Sequence, residues 1–178
     1  AQKVLAPAGG RNRVRRSALP ADSKLPSSAE LYQKPGTGTL MSLRGAPLQA
    51  SPKGRGRARN AAADEALARR FLADQRELLK LEDPDAELVL RRVHTDRRGR
   101  THLRFDQFYR GLEVWPGEVV VHLGPGGQID LVQGSYIPTP DGVRLTPGVT
   151  AAEAIAAARA SLPRRLAAAA PHRLPSRS

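Results

Sequence analysis

Cysteine is absent from this chain of 178 residues, which excludes a disulfide framework and any thiolate metal site. With only four histidines besides, the usual structural zinc modules are excluded as well. Aromatic residues are scarce, at 4% of the sequence, and six of the seven lie between residues 71 and 136, so we expect the hydrophobic core there. No run of 18 apolar residues occurs, so the composition predicts no membrane-spanning segment and no membrane partner.

Acidic residues are outnumbered, with 17 Asp and Glu against 29 Lys and Arg, for a net charge of +12. The excess lies at the two ends: residues 1–60 carry +10, residues 61–162 carry −2 and residues 163–178 carry +4. The aromatic-rich segment is therefore slightly acidic, which argues against a basic groove that stacks nucleic-acid bases. We expect no nucleic-acid partner for it, and any polyanion binding would belong to basic clusters such as residues 11–16 and 53–57.

Residues 1–59 contain six Pro, seven Gly and a single aromatic residue, and their apolar residues are isolated. Such a segment buries too little surface to offset a backbone entropy cost of about 1–2 kcal/mol per ordered residue. We interpret it as a basic, Pro/Gly-rich, linker-like and largely irregular region. Residues 28–31 and 40–43 are the exceptions, and the second stretch could form a short strand beside a suitable sheet edge.

Helical spacing begins at Asn60, a residue type suited to capping a helix N-terminus, and no Gly or Pro intervenes before Pro84. One apolar stripe runs along the segment and includes Leu67, Phe71, Leu78 and Leu81. The sequence therefore predicts an amphipathic helix over residues 60–81, ended by the stretch around Pro84.

The next segment alternates apolar and polar residues with a period of two. It predicts strands at residues 88–95, 101–109, 118–123 and 129–137, separated by turns at residues 96–99, 115–118 and 124–127. Strands joined by short turns pair antiparallel, and one face of such a sheet is covered. We therefore expect an antiparallel β-meander with the helix packed on one face.

A second, Ala-rich helix is predicted from Thr150 to Leu162, where Thr150 and Glu153 have the spacing of a capping box. Residues 164–170 could add another turn or two. The fold class is thus α+β, with three predicted regions: a linker-like region at 1–59, a helix-plus-sheet region at 60–148, and a short helix with a basic tail at 149–178.

The histidines are the first candidates for reactive or metal-binding groups. His102 and His122 lie on the same face of predicted strands, so their imidazoles approach each other if those strands are neighbours, but a metal ion needs further ligands that no nearby residue clearly supplies. No zinc-protease helix, nucleophile elbow or phosphate-binding loop occurs. We therefore predict no catalytic residue, no cofactor and no metal.

The stretch from Asp96 to Gly134 reads DRRGRTHLRFDQFYRGLEVWPGEVVVHLGPGGQIDLVQG. Its ordered pattern of a turn, His-x-Arg-aromatic-x-Gln, Gly, Gly-Glu and a Val-rich strand ending at His resembles the propeptide domain of thermolysin-type and fungalysin-type secreted metalloproteases. Residues 150–162 resemble the entry to a second, PepSY-like propeptide subdomain, incomplete in residues 149–178. The signature positions, candidates for contact with a partner, are His102, Arg104, Phe105, Gln107, Tyr109, Gly111, Gly117, Glu118 and His122.

This resemblance implies a helix on an antiparallel sheet and a non-catalytic prosegment of an exported protein, secreted or periplasmic. Its implied partner is the zinc metalloprotease catalytic domain in the same precursor, whose folding it assists and whose activity it inhibits. Two alternatives stay open: an exported inhibitor or interaction module that acts without any protease in its precursor, and a polyanion-binding protein that works through its basic ends.

Overall fold

The computed structural model describes residues 15–51 and 60–161. The chain divides into two compact units, residues 1–140 and residues 141–178. Within the described residues, the first unit contains an antiparallel sheet of seven strands and three short helices, and the second contains one helix. The α+β fold class predicted from the sequence is confirmed.

The strands of the first unit, in chain order, are β1 (Arg15–Ser17), β2 (Glu30–Gln33), β3 (Leu40–Gln49), β4 (Leu88–Thr95), β5 (Thr101–Tyr109), β6 (Leu112–Leu123) and β7 (Ile129–Ser135). Their spatial order is β1-β2-β3-β7-β6-β5-β4, and every neighbouring pair is antiparallel. Strands β4 to β7 are therefore the predicted meander, and β1 to β3 extend the same sheet beyond β7.

The helices of the first unit are α1 (Ala61–Asp74), α2 (Arg76–Leu79) and α3 (Pro84–Glu87). Helix α1 begins as predicted, because the side chain of Asn60 accepts a hydrogen bond from the N–H of Ala63 at 2.7 Å. Its buried residues include Leu67 and Phe71, which belong to the predicted stripe. The amphipathic helix thus packs onto one face of the sheet, which we call the inner face.

The helix predicted over residues 60–81 is interrupted, which corrects the sequence-based expectation. It ends at Asp74, and α2 follows after Gln75. Lys80 then takes a left-handed conformation with φ of 59°, and the N–H of Leu81 returns to the carbonyl of Arg76 at 3.1 Å. The physical reason is packing, because this reversal lets both Leu79 and Leu81 reach the core.

Residues 15–51 also correct the sequence analysis, because the expected irregular linker does not hold for them. They supply three strands, and β3 pairs with β7 in the register Leu43↔Val132. Five of their leucines are buried: Leu25, Leu31, Leu40, Leu43 and Leu48. These side chains are isolated in the sequence, but all five belong to the hydrophobic core, where β3 pairs with β7 and β2 pairs with β3. Of the basic cluster at residues 11–16, only residues 15 and 16 are described, within β1, and the cluster at residues 53–57 lies outside the described residues.

The turn predicted at residues 115–118 is also misplaced, because the chain reverses earlier. Tyr109 pairs with Leu112, and the two residues between them, Arg110 and Gly111, have φ of 48° and 84°. Two consecutive positive φ values are typical of the type I′ turn that joins a two-residue hairpin. The turns predicted at 96–99 and 124–127 are confirmed by hydrogen bonds from Gly99 N–H to Asp96 O and from Gly127 N–H to Gly124 O.

Tyr136 ties three parts of the first unit together. Its hydroxyl donates to the carbonyl of Leu79 at 3.0 Å and accepts from the N–H of Leu40 at 3.2 Å, so it joins α2 to β3 across the core. Burial raises the pKa of the Tyr136 phenol well above its ordinary value, so the hydroxyl keeps its proton and remains a donor.

We predict that Tyr136→Phe lowers the free energy of unfolding by about 2 kcal/mol, because it leaves a buried N–H and a buried carbonyl without their partner. Urea unfolding measures the loss. Tyr109→Phe is the matched control, since within the described residues the Tyr109 hydroxyl makes no hydrogen bond, and its effect should stay within about 0.5 kcal/mol. Equal effects of the two substitutions would contradict the role given to Tyr136.

The second unit contains α4 (Ala151–Ser161), all of whose residues are exposed. Its predicted capping box is confirmed, because the carboxylate of Glu153 accepts from Thr150 N–H at 2.7 Å and the N–H of Glu153 donates to the Thr150 hydroxyl at 3.3 Å. The possible helical turns at residues 164–170 lie outside the described residues. In the described part of the chain, no helix combines the length and the apolar character needed to cross a membrane.

Candidate functional site: the open face of the sheet

Strand alternation sorts the candidate residues onto two sides of the sheet. Along β5, the side chains of residues 101, 103, 105 and 107 are buried on the inner face, and those between them point to the opposite side, which we call the outer face. Four of the nine candidates lie on the outer face: His102, Arg104, Glu118 and His122. The sheet therefore separates the candidates into core residues and residues that a partner could reach.

Phe105 and Gln107 lie on the inner face and are fully buried. The guanidinium of Arg69 on α1 lies 5.4 Å from the centre of the Phe105 ring, so this phenylalanine sits beneath the helix. The side-chain amide of Gln107 donates to the carbonyl of Ile137 at 2.9 Å and accepts from its N–H at 3.3 Å. Phe105 thus packs in the hydrophobic core, and Gln107 binds the chain segment that follows β7.

Gly117 lies in a bulge of β6 formed by residues 114–117, which together oppose the single residue Gln107. A Cβ at position 117 would lie 2.7 Å from the Cβ of Gln107 and 2.6 Å from the carbonyl oxygen of Val114. Only glycine fits this contact, so close packing explains why position 117 is a glycine. The same bulge leaves Trp115 84% exposed.

The other two candidates, Tyr109 and Gly111, belong to the β5–β6 hairpin. Gly111 has φ of 84°, a conformation that glycine adopts without strain. The ring of Tyr109 is half-buried and lies 5.2 Å from the guanidinium of Arg110. Both residues therefore shape the hairpin.

A cavity of about 420 Å³ opens on the outer face beside the bulge. Two cross-strand ion pairs line it: Arg104 with Glu118 at 2.7 Å, and Arg91 with Asp106 at 2.8 Å. Trp115 forms part of its wall. The combination of an exposed indole and charged groups held in place by pairing is typical of surfaces that bind other proteins.

The two outer-face histidines meet, as the sequence predicts for neighbouring strands. His102 on β5 is directly opposite His122 on β6, and their Nδ1 atoms are 2.6 Å apart. Burial, followed by the proximity of His102, lowers the pKa of His122 below its ordinary value, and the nearby side chain of Gln133 opposes this shift.

Asp96 in the β4–β5 turn contributes a carboxylate at the end of this pair, with its Oδ2 3.4 Å from Nε2 of His102. Its Oδ1 accepts from the N–H groups of Arg98 at 2.8 Å and Arg100 at 2.9 Å. The hydrogen bonds from Arg100 and Arg98, and the nearby His102, hold the pKa of Asp96 below its usual value. This carboxylate therefore stays charged beside the imidazole at mildly acidic pH.

Sequence reasoning missed the cavity residues Trp115, Arg91 and Asp106. Trp115 carried a usable signal, since a large apolar residue followed by Pro-Gly interrupts the strand alternation and has no core position to fill. Arg91 and Asp106 carried none, because their ion pair depends on an irregularity of β4: Val89 is opposite Asp106, and Arg91 lies at the register shift between Leu90 and Arg92.

Among the described residues, no group of three or more His, Asp or Glu side chains is arranged to hold a metal ion. The histidine pair has two imidazoles but no third ligand of this kind. In the described residues, the outer face thus presents paired charges and an exposed indole that are accessible to a partner.

The family comparison agrees with this arrangement. Residues 86–136 match the fungalysin/thermolysin propeptide motif, so the matched segment runs from the end of α3 through β4, β5, β6 and β7 to Tyr136. Among curated proteins, none is significantly similar to this chain. The match confirms the resemblance read from the sequence: residues 86–136 carry the propeptide motif, which supports a propeptide domain of the type found in thermolysin- and fungalysin-type proteases.

Proposed function

We propose that the chain acts as a non-catalytic prosegment of an exported zinc metalloprotease, assisting the folding of the catalytic domain and inhibiting it until the two are separated. The observation that carries this proposal is the propeptide motif over residues 86–136, which spans the four strands of the meander. The catalytic domain of thermolysin or fungalysin type is the partner, joined to the prosegment in the precursor.

Both proposed activities follow from one binding event. A partner that binds the native catalytic domain but not its unfolded chain stabilises the native state by mass action. A covalent connection raises the effective concentration of that partner to the millimolar range for a short flexible linker. The same contact blocks access of substrates to the enzyme if it covers the active-site cleft, so folding assistance and inhibition require no separate sites.

We assign the docking surface to the outer face around Trp115. Helix α1 and the core leucines cover the inner face, whereas the outer face carries the 420 Å³ cavity and the ion-paired Arg104 and Glu118. Paired charges present fixed hydrogen-bonding groups, and the indole supplies apolar area at little cost in side-chain entropy. Tryptophan is also among the residue types that most often dominate the binding energy of an interface.

The experiment that tests the function uses thermolysin as the probe enzyme. Thermolysin unfolded in guanidinium chloride is diluted with and without the full chain, and native enzyme is mixed with the same chain in a peptide-hydrolysis assay. We expect a higher yield of refolded enzyme and slower hydrolysis in the presence of the chain. No gain in yield together with undiminished hydrolysis, by thermolysin and by a fungalysin-type enzyme alike, would count against the proposal.

A substitution separates docking from folding. We predict that Trp115→Ala weakens inhibition of thermolysin by about 10-fold to 100-fold, as expected when an interface hot spot is truncated. The stability of the free chain should change little, because the side chain is 84% exposed. The matched control is Ile137→Ala, which removes a 40% exposed apolar side chain outside the cavity and should leave inhibition unchanged.

A further inference from the structure

Three histidines from adjacent strands lie side by side on the outer face. His94 on β4 is opposite His102 on β5, which in turn is opposite His122 on β6. The ring centres are 6.3 Å apart for the first pair and 4.8 Å for the second, and only the second pair is joined, through its Nδ1 atoms. None of the three histidines lines the cavity.

The short Nδ1 contact limits how many protons the pair can hold. One imidazole must donate an N–H and the other must accept with a bare nitrogen, so at least one of His102 and His122 has to be neutral. When both rings are protonated, two N–H groups and two positive charges face each other across 2.6 Å. The bond between β5 and β6 side chains then has to open.

The groups around the histidine pair oppose the uptake of a second proton. His122 is half-buried and lies near charged groups of both signs. Arg100 pairs with Asp130 at 2.9 Å, and their effects on His122 oppose each other. The titratable and charged groups that face the pair from the packed strands and the turn are His94, Arg92, Asp96, Arg100, Arg104 and Asp130.

We propose that the His102–His122 pair is an acid-sensitive latch between β5 and β6, so that mild acidification loosens the outer face and weakens its hold on the protease. The second half of this inference rests on the proposed function. Docking at the outer face would remove water from the half-buried rings, which makes a doubly charged pair still more costly in the complex than in the free chain. Proton binding and protease binding therefore oppose each other by linkage.

The sign of the effect follows from the direction of the pKa shift. The pKa of His122 is lower in the folded chain than its unfolded value of 6.5. Below pH 6.5 the unfolded state therefore binds more protons than the folded state, so stability is fully present above that pH and falls as the pH decreases through it.

The test compares the full chain with His122→Gln and with the matched control His94→Gln, which lies in the same row but outside the Nδ1 contact. Between pH 7.5 and 5.5 we expect the unfolding constant of the wild-type chain to rise up to about tenfold more than that of His122→Gln, the limit for one histidine that stays neutral when folded. His94→Gln should keep the wild-type response. A His122→Gln chain with the same pH response as wild type would overturn the latch.

A second measurement covers the case in which His122→Gln does not fold. Nuclear magnetic resonance titration of the wild-type chain should show the His122 ring taking up its proton below the ordinary histidine pKa of 6.5. Titration of the His122 ring at the ordinary histidine value would overturn the proposal.

Inhibition of thermolysin, corrected for the enzyme's own activity at each pH, is then compared at pH 7.5 and 5.5. We expect the inhibition constant of the wild-type chain to increase more on acidification than that of His122→Gln. No inhibition at either pH would contradict the proposed function, and the latch is then decided by the unfolding and titration results on the free chain. Inhibition with the same pH dependence in both chains would contradict the link between the latch and docking.

Discussion

Removal of residues 1–51 should abolish cooperative folding of the remaining chain. The deletion removes β1 to β3 and five buried leucines, each of which contributes about 2 kcal/mol on burial. The sum, about 10 kcal/mol, is comparable to the whole free energy of unfolding of an ordinary domain, about 5–15 kcal/mol. The deletion also uncovers one edge of β7 and takes the Leu40 N–H from the hydroxyl of Tyr136.

Urea unfolding followed by circular dichroism measures this effect, and a pair of substitutions in the full chain provides the matched control. Leu43→Asp places a charge at a position that is 1% exposed and should destabilise the chain severely. Ser42→Asp introduces the same charge at the neighbouring, half-buried position on the other side of the strand and should cost far less. If the truncated chain unfolds cooperatively with the same free energy of unfolding as the full chain, residues 15–51 are not the integral part of the sheet and core described above.

Phe105→Ala should lower the free energy of unfolding by about 3–5 kcal/mol, the usual cost of truncating a buried phenylalanine. The ring is fully buried on the inner face beneath Arg69 of α1, so its loss leaves a cavity at the centre of the helix–sheet contact. This substitution should also abolish inhibition of the protease, since the outer face depends on the same strand for its shape.

Phe108→Ala is the control for that prediction, because it changes the same side chain on the same strand at a half-buried position on the opposite side. Its cost should be less than half that of Phe105→Ala. Equal destabilisation by the two substitutions would mean that β5 does not divide its side chains between a covered and an open face as described.

The meander could be predicted from the sequence because its signals are local. Alternation of apolar and polar residues defines β4 and β5, and Asp96 with Gly99 defines the turn that joins them. The β5–β6 hairpin was misplaced because Pro116 and Gly117 resemble a turn, whereas the reversal uses Arg110 and Gly111. Arg-Gly is a weaker turn signal than Pro-Gly, because arginine is not among the residue types that favour positive φ.

Of the N-terminal strands, the sequence indicated only the start of β3 at residues 40–43, and only beside a suitable sheet edge, because the partner that stabilises these strands is distant in sequence. Leu43 pairs with Val132, and no local sequence pattern predicts a contact between residues so far apart in the chain. The interruption of the long helix at Gln75 could not be predicted either, because glutamine does not break helices. The interruption instead allows both Leu79 and Leu81 to pack in the core.

Part of the candidate site could be predicted, because its signal is the local alternation of residues along the strands. Period-two alternation places His102 and His122 on one face, and pairing of neighbouring strands then brings them together, as expected. The cavity depends on a bulge that gives β6 four residues opposite Gln107, and no count of alternating residues reveals it. Trp115, the residue we expect to matter most for binding, is exposed because of that bulge.

The most direct test of the account uses the only tryptophan in the chain as a reporter. The full chain is labelled with 5-fluorotryptophan, and its fluorine resonance is recorded while a thermolysin variant is added whose catalytic glutamate is replaced by glutamine. We predict that the Trp115 resonance shifts and broadens with saturation, because the indole becomes buried against the catalytic domain. An unchanged resonance at an excess of the catalytic domain would contradict the central claim that this sheet binds a protease through its outer face.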